Sequence, residues 1–327
     1  MFDFLAFFPG VPLFFMVSGF LITDSYLNSQ NLKEYFVKRG LRIYPALFVN
    51  ILILEFAMYI GGNMTGNNIS IIQYIIYFFG YVFTAASGIA STVIGLKIVD
   101  IYNMNGFFHN YPSGVLWTLT VELSFYILLP MVLFFKNIKV RNILLLFLTF
   151  LSIAITFYIS SYGAKDFYES NALNKLTHIS IFPYFWIFGI GVFMRLYWVQ
   201  IKKYFVGYGL YYFGAYLLYC VGAIYICGDL GNYKTQLHLT TIIQTMLLAF
   251  TLFSMAFSYT NIKLNRKLDL SYSTYLYHML IVQILIGLGI TGSGYLYLVV
   301  IGATFTIAYL SWAYVEKPLL GLKKVKK

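Results

Sequence analysis

Ten apolar segments of membrane-spanning length follow one another along this 327-residue chain, and they constrain its fold more than any other feature. A bilayer core takes about 20 apolar residues in helical form, and backbone inside it must satisfy its own hydrogen bonds. Only 10% of the residues are charged, whereas soluble domains carry roughly a quarter. The sequence therefore predicts an all-α fold, a polytopic transmembrane helix bundle. The segments are residues 6–27, 43–60, 70–90, 115–135, 142–160, 179–198, 205–227, 237–257, 271–290 and 295–315.

Basic connections alternate with neutral ones along the chain, with one exception, and they predict how the chain is oriented. The basic connections are residues 28–42, 136–141, 195–204 and 261–269, followed by the tail at residues 323–327. Such connections face the cytoplasm by the positive-inside rule, which also explains the net charge of +11 without a nucleic-acid partner. The sequence therefore predicts a protein of the inner, cytoplasmic membrane whose C-terminus is cytoplasmic.

The number of apolar segments conflicts with this orientation in one place. Connections 61–69 and 136–141 are predicted on opposite sides of the membrane, although two apolar segments separate them. One of the segments 70–90 and 115–135 therefore fails to cross, or the Gly-, Ser- and Asn-rich residues 86–114 form a re-entrant segment. This predicts nine crossings, an external N-terminus and a single domain over residues 1–327.

Four polar residues near the ends of spans are candidates for function. Arg39 and Arg42 offer planar donors that suit phosphate or carboxylate, or they are ordinary anchors at the cytoplasmic side. Glu122 and His278 lie early in spans, where ionisable groups are costly and are functional candidates by default. A structural hydrogen bond is the alternative interpretation for both.

Other residues have simpler interpretations. Glu55, inside the second apolar segment, is expected to pair with a neighbouring helix in a structural role. Pro318, just after the last apolar segment, is expected to end the last helix. The two cysteines, Cys220 and Cys227, form no disulfide or metal-binding pattern and are expected to be small buried residues.

Several motifs, in the right order and spacing, resemble the membrane-bound acyltransferase-3 family over nearly the whole chain. Residues 10–22 (GVPLFFMVSGFLI) are similar to the family's GVDLFFVISGFLI, and residues 117–126 (WTLTVELSFY) to its WSLxVExxFY, with Thr118 in the serine place. In the family a Phe and an Arg-x-x-Arg precede Ile-x-Pro, and this pattern is matched by Phe36, Arg39, Arg42, Ile43 and Pro45. Residues 271–278 (SYSTYLYH) are similar to the family's SYxxYLxH, and residues 316–318 (EKP) to its terminal E-K/R-P.

The resemblance implies an integral membrane O-acyltransferase that moves an acyl group, usually acetyl, from cytoplasmic acyl-CoA to a hydroxyl of a carbohydrate or lipid-linked glycan. It implies that Arg39 and Arg42 hold the phosphates of CoA, and that Trp117 packs on the thioester arm or a sugar ring. His278 would act as base or acyl carrier, and Glu122 would orient it or the acceptor hydroxyl. Acyl-CoA is then a co-substrate with no bound cofactor, and the acceptor is a cell-envelope glycan such as O-antigen or exopolysaccharide.

The family normally opens with one more span, which carries a basic residue and a histidine that serves in acyl transfer. This sequence starts after that point, so an upstream span is expected, with ten crossings and a cytoplasmic N-terminus. Two other functions stay open. A transporter or flippase would use intramembrane Glu and Arg equally well, but inverted repeats or paired broken helices are not evident in the sequence. The other is an inactive, truncated relative that acts in polysaccharide assembly.

Overall fold

The computed structural model describes residues 7–66, 70–85, 107–108, 114–228, 230–232, 237–258, 268–290 and 295–321. Most of them are helical, and no β-strand occurs within these ranges. The α-helices are α1 (Gly10–Leu27), α2 (Leu32–Thr65), α3 (Ile71–Phe83), α4 (Trp117–Leu133), α5 (Ile138–Tyr162), α6 (Ala164–Ser170), α7 (Ala172–His178), α8 (Phe185–Ile201), α9 (Gly209–Cys227), α10 (Leu239–Ser258), α11 (Ser271–Gly287), α12 (Leu296–Ser311) and α13 (Lys317–Gly321).

Six helical segments of the described chain are long and apolar enough to cross a bilayer. They are α1, α2, α5, α9, α10 and the continuous stretch Leu296–Gly321 that contains α12 and α13. The prediction of an all-α membrane protein is therefore confirmed. Helices α3 and α4 are apolar but only 13 and 17 residues long. The number of crossings stays a prediction, and most of the re-entrant segment predicted at residues 86–114 lies outside the described residues.

The second helix begins much earlier than the sequence predicts. Residues 28–42 are expected to form a connection, but α2 starts at Leu32 and carries the basic residues in its first three turns. Glu34 lies in the first turn, where an acid matches the helix dipole, and it forms an ion pair with Lys38 at 2.7 Å one turn later. Local charge pairing thus extends the helix beyond its apolar part, so Arg39 and Arg42 lie on helical backbone rather than in a loop.

The expected helix end at Pro318 is also wrong. The chain continues from α12 through a π-helical turn, Trp312–Glu316, into α13, which contains Pro318. The amide of Lys317 bonds to the Trp312 carbonyl, five residues back. A proline ring normally clashes with the carbonyl four residues earlier, and the wider π turn relieves this clash.

One smaller expectation differs from the structure as well. Residues 161–178, between two apolar segments, are mostly helical, since they contain α6 and α7. Of the two cysteines, Cys220 is buried as expected, but Cys227, at the end of α9, is exposed. Cys227 differs because it is the last residue of its helix, where fewer neighbouring residues cover it.

The described chain divides into two compact units, and the first comprises Met1–Leu32 and Glu122–Leu264. In this unit α1 packs closely on α8. A Cβ on Gly19 would overlap the Phe188 carbonyl oxygen, and one on Gly191 would overlap that of Met16. Glycines here let the two backbones touch, as small residues do in membrane helix pairs. An ion pair between Asp24 and Arg195 at 2.7 Å joins the same two helices.

The second unit comprises Lys33–Val121 and Asn265–Lys327, and α2 is bonded to α11 in it. Tyr272 and Tyr277 of α11 donate to the Ile43 and Ala46 carbonyls of α2, both at 3.1 Å. In return, Asn50 of α2 donates to the Leu276 carbonyl at 3.0 Å. These bonds hold residues 43–50 of α2 in one register against the first turns of α11.

Candidate active site

The two arginines of the motif lie three residues apart on α2, so they are neighbours on one helix face. Arg42 forms an ion pair with Asp269, with 3.0 Å between Nη2 and Oδ2, and its guanidinium lies 5.7 Å from the Tyr272 ring centroid. About half of the Asp269 side chain is exposed, against 24% for Arg42. An anionic ligand that approaches Nη2 of Arg42 from solvent therefore competes with Asp269.

Asp269 stays ionised in this arrangement. Burial works against the charged form, but the Arg42 charge and two hydrogen bonds from Ser271 outweigh it, so the pKa of the Asp269 carboxyl lies below its usual value. Ser271 donates to the carboxylate from its hydroxyl at 2.7 Å and from its backbone amide at 3.3 Å. Because Asp269 lies two residues before Ser271, the first residue of α11, this cluster also helps to fix the start of the helix that carries His278.

His278 is held next to the first turn of α4 through Tyr275. The Tyr275 hydroxyl donates to the Val115 carbonyl at 2.6 Å and lies 2.5 Å from the Thr118 hydroxyl. The Tyr275 carbonyl in turn contacts Nδ1 of His278 at 2.7 Å. Trp117, beside Thr118, lies on the same first turn of α4. The structure therefore brings together the segments of two predicted site residues, Trp117 and His278.

The contact at Nδ1 determines which imidazole nitrogen is available for chemistry. A carbonyl oxygen only accepts hydrogen bonds, so Nδ1 must carry the proton in this contact. In the neutral ring the lone pair is then on Nε2, the form that a general base or acyl carrier needs. His278 follows Tyr272 by six residues on α11, which separates the two by about 9 Å along the helix axis. Arg42 therefore contacts α11 at Tyr272, about 9 Å along the axis before His278.

Glu122 belongs to the other compact unit, and within it the carboxylate is well supported. It is only 7% exposed, and its Oε1 accepts hydrogen bonds from Tyr126 at 2.8 Å and from Ser18 at 3.4 Å. Ser18 comes from the α1 motif, and Tyr126 is one turn further along α4. Two of the motifs singled out in the sequence therefore meet at one buried carboxylate.

Three partners in these clusters were not predicted from the sequence. In the sequence, Asp269 is noticeable only as an acid in a basic connection, and Tyr126 and Ser273 are noticeable only because they belong to motifs. Ser273 donates to Glu316, which is 1% exposed and also accepts from Ser311 at 3.3 Å. Their places in two motifs mark Ser273 and Glu316 as residues of interest in the sequence. That the two are bonded to each other can be seen only from how α11 packs against the π-helical turn.

Glu55 is expected to pair with a neighbouring helix. Both carboxylate oxygens of Glu55 are buried, and neither has a hydrogen-bond partner among the described residues. The pairing of Glu55 with a neighbouring helix is therefore not made through a hydrogen bond in the described chain, and its structural role stays a prediction. Within that same part of the chain, no three His, Cys, Asp or Glu side chains gather in a way that would hold a metal ion.

Comparison with known proteins identifies the family. The acyltransferase domain model of the acyltransferase-3 family matches residues 1–313. The chain belongs to the acyltransferase-3 family. Nodulation protein 10 of Rhizobium leguminosarum bv. viciae is 38% identical over 328 residues, which covers 98% of this chain and 84% of that protein. This acyltransferase-3 protein is therefore a membrane acyltransferase, as the motifs predicted.

A second relative is more distant. An uncharacterised protein of Haemophilus influenzae is 26% identical over 168 residues, which covers 49% of this chain and 62% of that protein. No solved structure matches the chain. The assignment to the acyltransferase-3 family therefore rests on sequence over nearly the full length, while the roles of Arg39, Arg42, Trp117, Glu122 and His278 stay predictions.

Proposed function

We propose that this protein is an integral membrane O-acyltransferase of the cytoplasmic membrane. It transfers an acyl group, acetyl in the first instance, from cytoplasmic acyl-CoA to a hydroxyl of a cell-envelope carbohydrate or lipid-linked glycan. The observation that carries the proposal is the hydrogen-bonded pairing of α2 with α11, in which Arg42 contacts Tyr272, six residues before His278 on α11. This pairing supports a site in which Arg42 binds the phosphates of the donor and His278 acts as the base.

Arg39 and Arg42 bind the phosphates of the donor in this scheme. Their charge-assisted hydrogen bonds suit phosphate oxygens, and the ion pair of Arg42 with Asp269 is partly open to solvent. The phosphate displaces Asp269 from Arg42, while Ser271 continues to bond the released carboxylate. Trp117 and the first turn of α4 flank the thioester arm that extends from there toward His278.

His278 moves the proton during transfer. The acceptor hydroxyl gives its proton to Nε2 as its oxygen attacks the thioester carbonyl carbon, so a C–O bond forms and the C–S bond breaks. The CoA thiolate then takes the proton from His278, which yields the acylated acceptor and free CoA. Nδ1–H stays bonded to the Tyr275 carbonyl and stabilises the imidazolium between these two steps. Glu122 orients the acceptor or another reacting group from its own cluster.

The test is acyl transfer from radiolabelled acetyl-CoA to envelope glycans by protein in membranes. Replacing both Arg39 and Arg42 with Ala should abolish transfer and leave the protein inserted, because the phosphates lose their charge partners. Lys at either position should restore only part of the activity, since bidentate geometry is lost. Lys38→Ala, which removes a cation from the same helix surface, is the matched control and should stay active. Full activity of the double Ala variant would refute the proposed donor site.

A further inference from the structure

Glu55 and Tyr74 form an inward-facing polar pair that the proposed mechanism does not use. Both residues are half-buried, yet the carboxylate oxygens of Glu55 and the hydroxyl of Tyr74 are buried. The polar heads therefore point into the protein while the stems are partly exposed. This is the reverse of what a polar side chain in lipid does when it extends toward the membrane surface.

Glu55 and Tyr74 belong to two helices, α2 and α3, that contact each other through aromatic rings. Tyr74 packs edge-on against Tyr59 of α2, with ring centroids 6.1 Å apart, and Phe78 packs in the same way on Phe48 at 5.1 Å. Tyr74 and Tyr77 both interact electrostatically with Glu55. Even so, Glu55 and Tyr74 do not bond to each other, and neither head has a hydrogen-bond partner among the described residues.

Unsatisfied polar groups are costly inside a membrane, so a pair of them at one place needs an explanation. The Tyr74 hydroxyl supplies a donor, and the Glu55 carboxyl group supplies acceptor oxygens. A hydroxyl group placed between them satisfies both, because its oxygen accepts from Tyr74 and its proton is donated to Glu55. An ammonium group cannot accept the hydrogen bond that Tyr74 donates, and a carbonyl cannot donate to an oxygen of Glu55.

The depth of Glu55 indicates the side from which such a hydroxyl comes. Glu55 follows Arg42 by 13 residues on α2, which is about 20 Å along the helix axis. With Arg42 at the cytoplasmic surface and a hydrocarbon core of about 30 Å, Glu55 lies about 10 Å from the opposite surface. Glu55 is therefore nearer to the side where envelope glycans are assembled than to the side where acyl-CoA is found.

We propose that Glu55 and Tyr74 bind a hydroxyl group of the carbohydrate acceptor, an inference that rests on the proposed acyltransferase function. The acceptor enters from the extracytoplasmic side and is fixed between α2 and α3. The polar pair holds one of its hydroxyls, and a second hydroxyl remains free to be acylated. Glu55 and Tyr74 are acceptor-binding residues and take no part in proton transfer.

Two variants and one matched control test this site in purified protein. Tyr74→Phe removes only the hydroxyl, Glu55→Met replaces the carboxylate with an apolar side chain of similar length, and Tyr59→Phe removes a neighbouring hydroxyl that is absent from the pair. Equilibrium binding of neutral oligosaccharides of hexose and N-acetylhexosamine gives one readout. The KM values for acetyl-CoA and for the same oligosaccharides give the second, and the melting temperature in detergent gives the third.

Oligosaccharide binding should weaken about fivefold in Tyr74→Phe and about tenfold or more in Glu55→Met, with an unchanged KM for acetyl-CoA. Glu55→Met should also raise the melting temperature, because it removes a buried polar group without a partner. Tyr59→Phe should match the wild type. If Glu55 only stabilised the fold, Glu55→Met would lower the melting temperature. Weaker oligosaccharide binding together with a higher melting temperature therefore distinguishes a binding role from a structural one.

Unchanged oligosaccharide binding in both variants would overturn the inference, as would a lower melting temperature in Glu55→Met together with a weaker KM for both substrates. Failure of the wild type to bind any of the oligosaccharides would also overturn it. The proposed function fails separately, if the wild type binds oligosaccharide but transfers no acetyl group. In that case the binding data still decide the role of Glu55 and Tyr74.

Discussion

Three glutamates with buried carboxylate oxygens differ in how those oxygens are satisfied. Glu122 accepts from Tyr126 and Ser18, and Glu316 accepts from Ser273 and Ser311. Glu55 has no hydrogen-bond partner among the described residues. Bonded carboxylates keep their positions without a ligand, whereas an unsatisfied one gains most when a ligand arrives. The three residues are therefore expected to respond differently to substitution.

For Glu122, replacement by Gln keeps the shape of the side chain and removes its charge. If the carboxylate orients a reacting group, Glu122→Gln should lower transfer by about a hundredfold or more while expression stays normal. Glu122→Asp shortens the arm by one methylene and should also be impaired, because positioning depends on small distances. Acetyl transfer in membranes, normalised to the amount of inserted protein, is the measurement.

Tyr126→Phe is the control for Glu122, since it removes the 2.8 Å hydrogen bond to Oε1 but leaves the charge. It should reduce activity less than Glu122→Gln does. Full activity in Glu122→Gln would make Glu122 a hydrogen-bonding brace and refute its functional role. Loss of Glu122→Gln protein from the membrane would instead indicate a structural role, because an unsatisfied polar group there is costly.

At the scale of helices, hydropathy predicted where the described apolar helices lie but not where they end. The first turns of α2, from Leu32, contain the Glu34–Lys38 pair, which supports a helix and which an apolar window does not detect. The continuation past Pro318 depends on the π turn at Trp312–Glu316. In both cases local bonding, and not hydrophobicity, decides the boundary.

The packing of α1 on α8 gives a prediction for the helices themselves. A Cβ at Gly19 has to displace the Phe188 backbone, so Gly19→Ala should lower the free energy of unfolding by about 1–3 kcal/mol. A Cβ on Gly214 of α9 would have no neighbouring atom of the described chain within 4 Å, so Gly214→Ala should be neutral or slightly stabilising. Melting of the purified proteins in detergent measures both. Equal melting of the two variants would contradict the close approach of α1 and α8.

The candidate site was predictable residue by residue but not as an arrangement. Motif resemblance selected Arg39, Arg42, Trp117, Glu122 and His278, and four of these lie in one compact unit. The sequence could not reveal that Asp269 occupies Arg42 or that Tyr275 carries the contact of His278 with α4. Both contacts depend on how α11 is aligned with its neighbours. That alignment is fixed by hydrogen bonds of Tyr272, Tyr277 and Asn50, which join residues at least 226 positions apart in the sequence.

For the molecule as a whole, the length of α2 helps to explain the chemistry. Its 34 residues make a helix of about 51 Å, well beyond a hydrocarbon core of about 30 Å. If the residues after Arg42 span the membrane, the first ten residues of the helix project about 15 Å into the cytoplasm. The arginines then lie at the surface where acyl-CoA is dissolved, while Glu55 lies deep in the same span. One continuous helix would thus carry both the donor-binding and the acceptor-binding residues.

This orientation can be tested with the cysteines that the chain already contains. Cys227 is exposed at the end of α9 that follows the predicted cytoplasmic connection at residues 195–204, so it should react with an impermeant maleimide added outside intact cells. Buried Cys220, two turns earlier, is the internal control and should not react until the protein is denatured. In a variant with both cysteines replaced by Ser, Met64→Cys should label from outside and Lys139→Cys should label only after the membrane is opened. External labelling at position 139 would reverse the orientation, and the arginines would then face away from cytoplasmic acyl-CoA.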